Sequence, residues 1–178
     1  MPAVNETHTK VLGPLIQPFQ RSPDKALETH LRKGEGHNDE FLKSIHDGID
    51  NNRPEPYHEL TIEELKKYRI NEGGKYLEKC YLWVIDEVSI KIIWEKTSNI
   101  LRGEEIPTKP FVCHTNITGC QPAYIGGELH FCADGNIYVN FSSDRYGRPE
   151  TLEKRKMAIR YIEEVGYKNI VMTNDFLK

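Results

Sequence analysis

The spacing of apolar residues differs between the two halves of the chain. From residue 80 onward, apolar, aromatic and β-branched residues cluster in short runs, and these predict five strands: CYLWVID, SIKIIWE, FVCHTNI, YIGGELHF and GNIYVNF. The first two runs are separated by few residues, which is typical of a β-hairpin. The segment RPETLEKRKMAIRYIEEVG predicts the longest helix, and NIVMT predicts a closing strand.

The first half of the chain carries helix signals instead. Residues 1–21 contain Pro2, Pro14 and Pro18 and predict an extended arm. In residues 22–74, the segments SPDKALETHLRKG, NDEFLKSIHDG and TIEELKKYRINEGG predict short helices, because each has a capping residue before it and a glycine at its end. The predicted fold is therefore α+β: N-terminal short helices followed, over residues 80–178, by a mainly antiparallel sheet packed with a C-terminal helix. A length of 178 residues with 38% hydrophobic content suits a single domain.

The basic and acidic residues nearly balance, which limits the partners that the chain can attract by its overall charge. The chain has 24 basic and 27 acidic residues and a net charge of -3, so no global field attracts a polyanion or an anionic membrane, and any nucleic-acid contact must be local. The N-terminus has no apolar run after a basic segment, and no window approaches the roughly 20 apolar residues that cross a bilayer. We expect no membrane insertion, and a protein that is cytoplasmic or exported without an N-terminal signal.

The loop of the central hairpin determines which side chains share a face. A loop of Ala133, Asp134 and Gly135 makes one face wholly apolar, whereas a two-residue loop leaves both faces mixed. The apolar face then holds Leu129, Phe131, Ile137, Val139 and Phe141. The opposite face gathers Glu128, His130, Tyr138, Asn140 and Ser142. A neighbouring FVCHTNI strand would add either His114 and Asn116 or Cys113 and Thr115.

Two interpretations of this polar face remain open. Antiparallel sheets commonly expose one polar face to water, so the face could be an ordinary solvent-facing surface. Its His, Tyr, Asn and Ser side chains, with Gly126 and Gly127 beside Glu128, favour a site, because paired glycines often mark a close approach to the backbone.

The candidate residues suit phosphate chemistry without a metal. Glu128 and His130 lie two apart on one face, where a carboxylate serves as base and an imidazole as acid near neutral pH. Arg145, with Arg148 nearby, offers a planar fork for phosphate.

Zinc binding is the alternative chemistry. Three cysteines and a histidine that lie close in sequence are possible zinc ligands: Cys113, His114, Cys120 and Cys132. Cys113 and His114 are adjacent and would point to opposite faces of a strand, and no CxxC or HExxH motif is present. We therefore expect no metal site. The four cysteines, which include Cys80, are too unevenly spaced for a disulfide framework and predict reduced thiols.

A series of short motifs resembles a known module. The residues that carry the resemblance are His114, Thr115, Asn116, Ile117, Gly119, Ala123, Gly127, Glu128, Asp134, Gly135, Ser143, Asp144, Arg145, Tyr146 and Pro149. Their order resembles a module of uncharacterised bacterial effector-like proteins and plant IQ-motif calmodulin-binding proteins. There the pattern runs His-Ser-Ser-Phe, paired glycines, Ala-Gly, Asp-Gly and Ser-Gly-His-Tyr-Arg-Pro before a helix. The resemblance covers about residues 80 to 165.

This chain departs from that pattern in two places. The segment from Ser143 to Tyr146 reads Ser-Asp-Arg-Tyr in place of Ser-Gly-His-Tyr, and Gly147 is an extra residue before Arg148. No IQ motif is present, so calmodulin binding is not implied. The resemblance implies one shared site built from His114, Glu128, Ser143, Arg145 and Tyr146.

The leading hypothesis is a small effector- or toxin-like enzyme that acts on a nucleotide or RNA. It would act by metal-independent RNA cleavage or by ADP-ribosyl transfer, with NAD as substrate and no cofactor. The catalytic candidates are Glu128 as base, His114 or His130 as acid or ribose contact, and Arg145 as phosphate clamp. Tyr138 and Tyr146 would stack on a base or ribose. Further substrate-binding candidates are Thr115, Asn140, Ser142 and Ser143.

A non-catalytic protein-binding module is the alternative. An immunity, inhibitor or adaptor protein would use the long helix and exposed Tyr or Trp side chains as its interface. The sequence leaves open which of the two classes the protein belongs to.

Overall fold

The computed structural model of the protein describes residues 3–19, 53–61, 63, 81–94, 112–131 and 135–173. Its elements in chain order are α1 (Glu6–Leu12), β1 (His58–Glu59), β2 (Tyr81–Ile85), β3 (Ile90–Trp94), α2 (His114–Thr118), β4 (Ile125–Phe131), β5 (Ile137–Val139), α3 (Leu152–Glu164) and β6 (Ile170–Met172). The helices predicted for SPDKALETHLRKG and NDEFLKSIHDG lie outside the described residues, as does the one predicted for TIEELKKYRINEGG apart from residues 61 and 63. The prediction that residues 22–74 are helical is wrong at His58–Glu59, which form strand β1 because they pair with β3 at the edge of the sheet.

The described strands form one six-stranded sheet in the order β1-β3-β2-β4-β5-β6. Every neighbouring pair is antiparallel except β5 and β6, which are parallel. The parallel pair arises because α3 connects the two strands, giving a βαβ unit at one side of the sheet. The predicted α+β fold with a mainly antiparallel sheet and a C-terminal helix is confirmed.

The predicted register of the central hairpin is also confirmed. Leu129 pairs with Val139 and Phe131 with Ile137, as a three-residue loop requires. Gly135 has a φ of +87°, the left-handed conformation that glycine adopts without strain. The opposite face is not an ordinary solvent-facing surface, because His130 and Asn140 are only 4% and 1% exposed.

The prediction that residues 1–21 form an extended arm is wrong for part of that segment, since Glu6–Leu12 is helical. Asn5 caps the helix: its side chain accepts from the His8 amide, and its own amide donates to His8 Nδ1, both at 3.1 Å. A seven-residue helix is marginal alone, and packing stabilises this one. His8 is buried, donates from Nε2 to Glu164 over 2.7 Å and lies 4.6 Å from the Tyr161 ring.

The prediction that FVCHTNI forms a strand is wrong as well, because His114–Thr118 is helix α2. Its β-branched residues suggested a strand, but local hydrogen bonds override that preference. The Asn116 side chain accepts from the Cys113 amide over 2.8 Å, and Gly119 ends the helix in the left-handed conformation at φ 62°. His114 and Asn116 therefore do not extend the sheet face as strand residues.

The larger core lies on the face of the sheet that packs against α1 and α3. Its edge-to-face aromatic contacts include Tyr81 with Phe131 at 5.5 Å and Trp83 with Phe141 at 5.7 Å. Each large side chain buried in this way contributes on the order of 1.5–3 kcal/mol. The sheet contributes to this core Tyr81, Trp83, Ile85, Ile90, Ile92, Ile125, Leu129, Phe131, Ile137 and Val139.

A smaller core covers the other face of the sheet. It comprises Leu82, Val84, Ile93, Val112, Ile117, Ala123 and Tyr146, with Ile16 packed against it. Residues 14–19, here called the N-terminal strap, cross this layer, and Ile16 and Ala123 exchange two backbone hydrogen bonds of 2.8 and 3.1 Å. The polar face of the central hairpin lies on this same side of the sheet. The smaller core and the strap cover part of that side, which is here called the covered layer.

We predict that Gly127→Ala destabilises the protein by about 3 kcal/mol. A Cβ at Gly127 would collide with the backbone oxygen of Asn140 and lie 2.8 Å from the Trp83 ring, and neither the strand backbone nor a fully buried indole can yield. Gly126→Ala is the matched control: its Cβ would meet nothing closer than His114 at 3.1 Å, so we expect a loss of about 1 kcal/mol. Urea unfolding of the two variants measures the difference, and equal losses would contradict it.

Candidate functional site

The side chain of Asn140 joins β4 to the segment that follows β5. Its Oδ1 accepts from the backbone amides of Glu128, over 2.9 Å, and Ser142, over 3.0 Å. Its Nδ2 donates to Glu128 Oε2 over 3.0 Å, and the side chain of Asn140 is buried while Glu128 is half-buried. These contacts hold the Glu128 carboxylate in one position at the boundary between protein and solvent.

Ser142 extends the connection toward an exposed arginine. The Ser142 hydroxyl accepts from Arg148 Nη2 over 3.4 Å, and Arg148 is exposed. Glu128, Asn140, Ser142 and Arg148 thus form a hydrogen-bonded series, here called the polar chain. It connects a fixed carboxylate to an exposed guanidinium through successive hydrogen bonds.

A cavity of about 80 Å³ lies beside the polar chain and is lined by Phe141, Arg148, Arg155 and Thr173. Phe141 follows β5, Thr173 follows β6 with its amide bonded to the Val139 carbonyl, and Arg155 lies near the start of α3. The cavity is therefore at the carboxyl ends of the two parallel strands. That end of a βαβ unit is where ligands commonly bind in sheets with helical crossovers.

Arg155 is held against the wall of this cavity. Its guanidinium carbon lies 5.8 Å from the centre of the Phe141 ring, a cation–π contact, and Nη2 donates to the Pro149 carbonyl over 3.3 Å. Its Nε is buried and has no hydrogen-bond partner among the residues the structure describes. The cavity therefore has two guanidinium groups in its lining.

His114 lies in the covered layer, 6% exposed, where Nε2 donates to the Gly127 carbonyl over 2.8 Å. Burial lowers its pKa to about 4, and the hydrogen bond to Gly127 opposes that shift only in part. The imidazole is therefore neutral at pH 7. This position suits a residue that holds α2 against β4 better than one that exchanges protons with a substrate.

Arg145 is also in the covered layer, 3% exposed. Its Nη1 donates to the Phe19 carbonyl over 2.9 Å, and its own carbonyl accepts from the Phe19 amide over 2.7 Å. Nη2 lies 3.9 Å from Cys113 Sγ. Arg145, predicted as the phosphate clamp, thus fastens the N-terminal strap, and the cavity is lined by Arg148 and Arg155 instead.

The remaining predicted residues are divided between the two regions. Tyr146 is buried, and its hydroxyl lies 2.6 Å from both the Gln121 carbonyl and Thr118 Oγ1, while burial raises its pKa to about 12. Ser143 accepts from the Tyr146 amide over 3.1 Å. Thr115 is fully buried. These three side chains belong to the covered layer.

His130 and Tyr138 are cross-strand partners on the same sheet face as Glu128, His130 buried and Tyr138 half-buried. The structure therefore brings together Glu128, Asn140 and Ser142 and adds Arg148. Arg155 is the lining residue that the sequence interpretation missed, because it is one of several basic residues in EKRKMAIR and its direction depends on helix packing.

The described residues contain no group of three or more His, Cys, Asp or Glu side chains arranged to hold a metal ion. Cys113 and Cys120 are thiols rather than disulfide partners. No helix within the described ranges is long and apolar enough to span a membrane.

Comparisons of the chain with protein-family models, curated protein sequences and solved structures find no match. The resemblance to effector-like and IQ-motif proteins therefore stays a prediction. The chemistry of the site is inferred from its own residues.

We predict that His114 makes stability depend on pH. Its pKa is about 4 when folded and ordinarily 6.5, so between these values the unfolded chain binds a proton that the folded protein does not. Its contribution is complete above pH 6.5 and is lost as the pH falls toward 4, at about 1.4 kcal/mol per pH unit.

The control is His114→Gln, whose amide can still donate to the Gly127 carbonyl but does not titrate. Urea unfolding between pH 7 and 4.5 should show the stability advantage of the wild type shrinking as the pH falls. Parallel pH profiles for the two proteins would contradict the assignment.

Proposed function

We propose that this protein is an enzyme acting on a phosphate-bearing nucleotide or RNA substrate, with Glu128 as proton acceptor and Arg148 as phosphate contact. The observation that carries the proposal is the polar chain beside an arginine-lined cavity at the carboxyl ends of β5 and β6. A carboxylate and a guanidinium connected by hydrogen bonds match a substrate that loses a proton next to a negative phosphate.

Glu128 suits the role of base because its carboxylate is both accessible and fixed. The residue is half-buried, and Asn140 donates to one of its oxygens. A catalytic group held in this way loses little conformational entropy when a substrate binds.

Arg148 suits the phosphate contact better than Arg145. Arg148 is exposed and lines the cavity, whereas Arg145 is 3% exposed and donates to the Phe19 carbonyl. A guanidinium can donate two parallel hydrogen bonds to one phosphate group.

Two reactions fit this pair of residues. In RNA cleavage, Glu128 takes the proton of a ribose 2′-hydroxyl as its oxygen bonds to phosphorus, the bond to the 5′-oxygen breaks, and that oxygen takes a proton from water. In ADP-ribosyl transfer, nicotinamide leaves NAD with the electrons of the glycosidic bond, an acceptor bonds to the ribose carbon, and Glu128 takes the proton of the acceptor. Product analysis separates the two reactions.

The effector- or toxin-like character belongs to the same proposal and is supported by the resemblance of about residues 80 to 165 to effector-like proteins. An enzyme of this kind depresses the growth of the cell that expresses it. Induced expression of the wild type should therefore slow growth, and the loss of Glu128 function should restore it.

We predict that Glu128→Gln lowers RNA cleavage or NAD turnover at least about a hundredfold, because an amide cannot accept the proton. Glu163→Gln, an exposed carboxylate late in α3, is the matched control and should keep full activity. Purified proteins are incubated with RNA and with NAD, and products are separated by chromatography. If Glu128→Gln is as active as the wild type, Glu128 is not the base. If the wild type turns over neither RNA nor NAD, the enzyme proposal is overturned.

A protein-binding module remains the second candidate, supported by the edge of the sheet. Among the described strands β6 is terminal, and its Val171 and Met172 are 37% and 42% exposed. An exposed apolar edge strand can pair with a strand of another protein. Under this alternative the same proteins would be inactive on RNA and NAD.

A further inference from the structure

Asn140 contacts Glu128 through both its backbone and its side chain. Its backbone amide donates to the Glu128 carbonyl over 3.0 Å, as in an antiparallel ladder. The return bond, from the Glu128 amide, goes over 2.9 Å to the side-chain Oδ1, where a regular ladder would use the backbone carbonyl. The Trp83 indole donates to the Glu128 carbonyl over 3.1 Å. Both polar groups of the Glu128 backbone are therefore bonded, which fixes where its side chain begins.

The orientation of the Asn140 amide follows from its acceptor end. Oδ1 accepts from two backbone amides, those of Glu128 and Ser142. A reversed amide would place its NH2 group against both of these N–H donors, so the oxygen lies there and Nδ2 faces the Glu128 carboxylate. The contact of 3.0 Å between Nδ2 and Oε2 is therefore a hydrogen bond that Asn140 donates.

The contacts of Asn140 with the backbone do not explain why residue 140 is an asparagine. They need one acceptor oxygen, which an aspartate would also supply. The donor end of the amide distinguishes the two residue types, and this end is bonded to Glu128. A donated hydrogen bond favours the charged form of a carboxylate, whereas an aspartate at the same position would place a second negative group beside it and favour the protonated form.

The elements next to this pair carry other titratable or charged groups. Among the described residues they include His130 on β4, Tyr138 on β5, His114 on α2, and Asp144, Arg145 and Arg148 in the segment after β5. The cross-strand neighbour of Glu128 on β2 is the uncharged Leu82. Because these groups are the same in all variants of residue 140, a comparison of such variants isolates the contact between Asn140 and Glu128.

We propose that Asn140 is a positioning residue that controls the charge of Glu128: by donating to Oε2 it keeps the carboxylate ionised and therefore able to accept a proton. The proposal rests on the proposed function, since it names the residue that prepares the base of that site. Asn140 acts through Glu128, because its own side chain is buried.

The full chain with Asn140→Asp tests the effect on charge. The new side chain can still accept from both backbone amides, but it has no donor for Oε2. The pH at which the pair of carboxyl groups takes up its first proton should lie at least about one unit above the protonation midpoint of Glu128 in the wild type. Carboxyl carbon NMR across a pH titration measures both midpoints. Asn169→Asp adds the same charge at an exposed position before β6 and should leave the Glu128 midpoint unchanged.

A second variant exchanges the two groups and needs no turnover. Glu128→Gln combined with Asn140→Asp restores one amide and one carboxylate in contact, with the direction of the hydrogen bond reversed. In urea unfolding at pH 7, Asn140→Asp alone should lower the midpoint, and adding Glu128→Gln should recover most of that loss. If Asn140→Asp alone does not fold, the double variant should still fold. An equal loss with and without Glu128→Gln, or the failure of both variants to fold, would overturn the proposal.

The pH profile of turnover separates this proposal from the proposed function. With RNA or NAD as substrate, the acid limb of the kcat profile should move upward by at least about one pH unit in Asn140→Asp, and Asn169→Asp should follow the wild type. If titration and unfolding show the coupling but the wild type turns over neither substrate, the enzyme proposal fails and the control of Glu128 by Asn140 stands. If turnover is present but Asn140→Asp moves neither the NMR midpoint nor the pH profile, the proposal for Asn140 alone is overturned.

Discussion

The buried amide of Asn140 is the constraint on which the candidate site depends. One side chain accepts from the backbone of Glu128 on β4 and of Ser142 beyond β5, and it donates to the Glu128 carboxylate. A buried amide with both ends satisfied fixes the register of the two strands and the direction of the chain after β5, because any slip would leave polar groups unpaired. The same contacts that specify the fold thus position the carboxylate.

The single parallel pair gives this sheet its one βαβ unit among the described strands. In an antiparallel meander, the strand after β5 would run in the opposite direction and end at the other side of the sheet. Here α3 crosses back between the two strands, so β6 runs parallel to β5 and both end at the same side. Phe141 and Thr173 consequently meet near the start of α3, where Arg155 joins them. The cavity follows from topology rather than from a local motif.

Polar residues in this protein perform two separate tasks. His114, Arg145 and Tyr146 lie in a covered layer, where each is hydrogen-bonded to a neighbouring segment and holds α2, the N-terminal strap or the 142–147 region in place. Glu128 and Arg148 reach solvent. The residue type alone does not show which task a side chain performs, since a histidine or an arginine can perform either. Burial distinguishes a residue that stabilises the fold from one that can contact a ligand.

The strand pairing of the central hairpin follows from the amino-acid pattern alone. The two-residue period of a strand allows only one register with a wholly apolar face, and that register places Glu128 beside Asn140. Helix α2 and the position of Arg155 depend instead on contacts between elements. The FVCHTNI segment has the composition of a strand, yet Asn116 and Gly119 cap a short helix that packs on the sheet, and the direction of Arg155 depends on how α3 packs over the sheet. The local pattern of apolar residues specifies which side chains share a face of one strand or helix. Contacts between elements that are distant in sequence determine whether a short helix forms, which side chains are buried and where cavities lie.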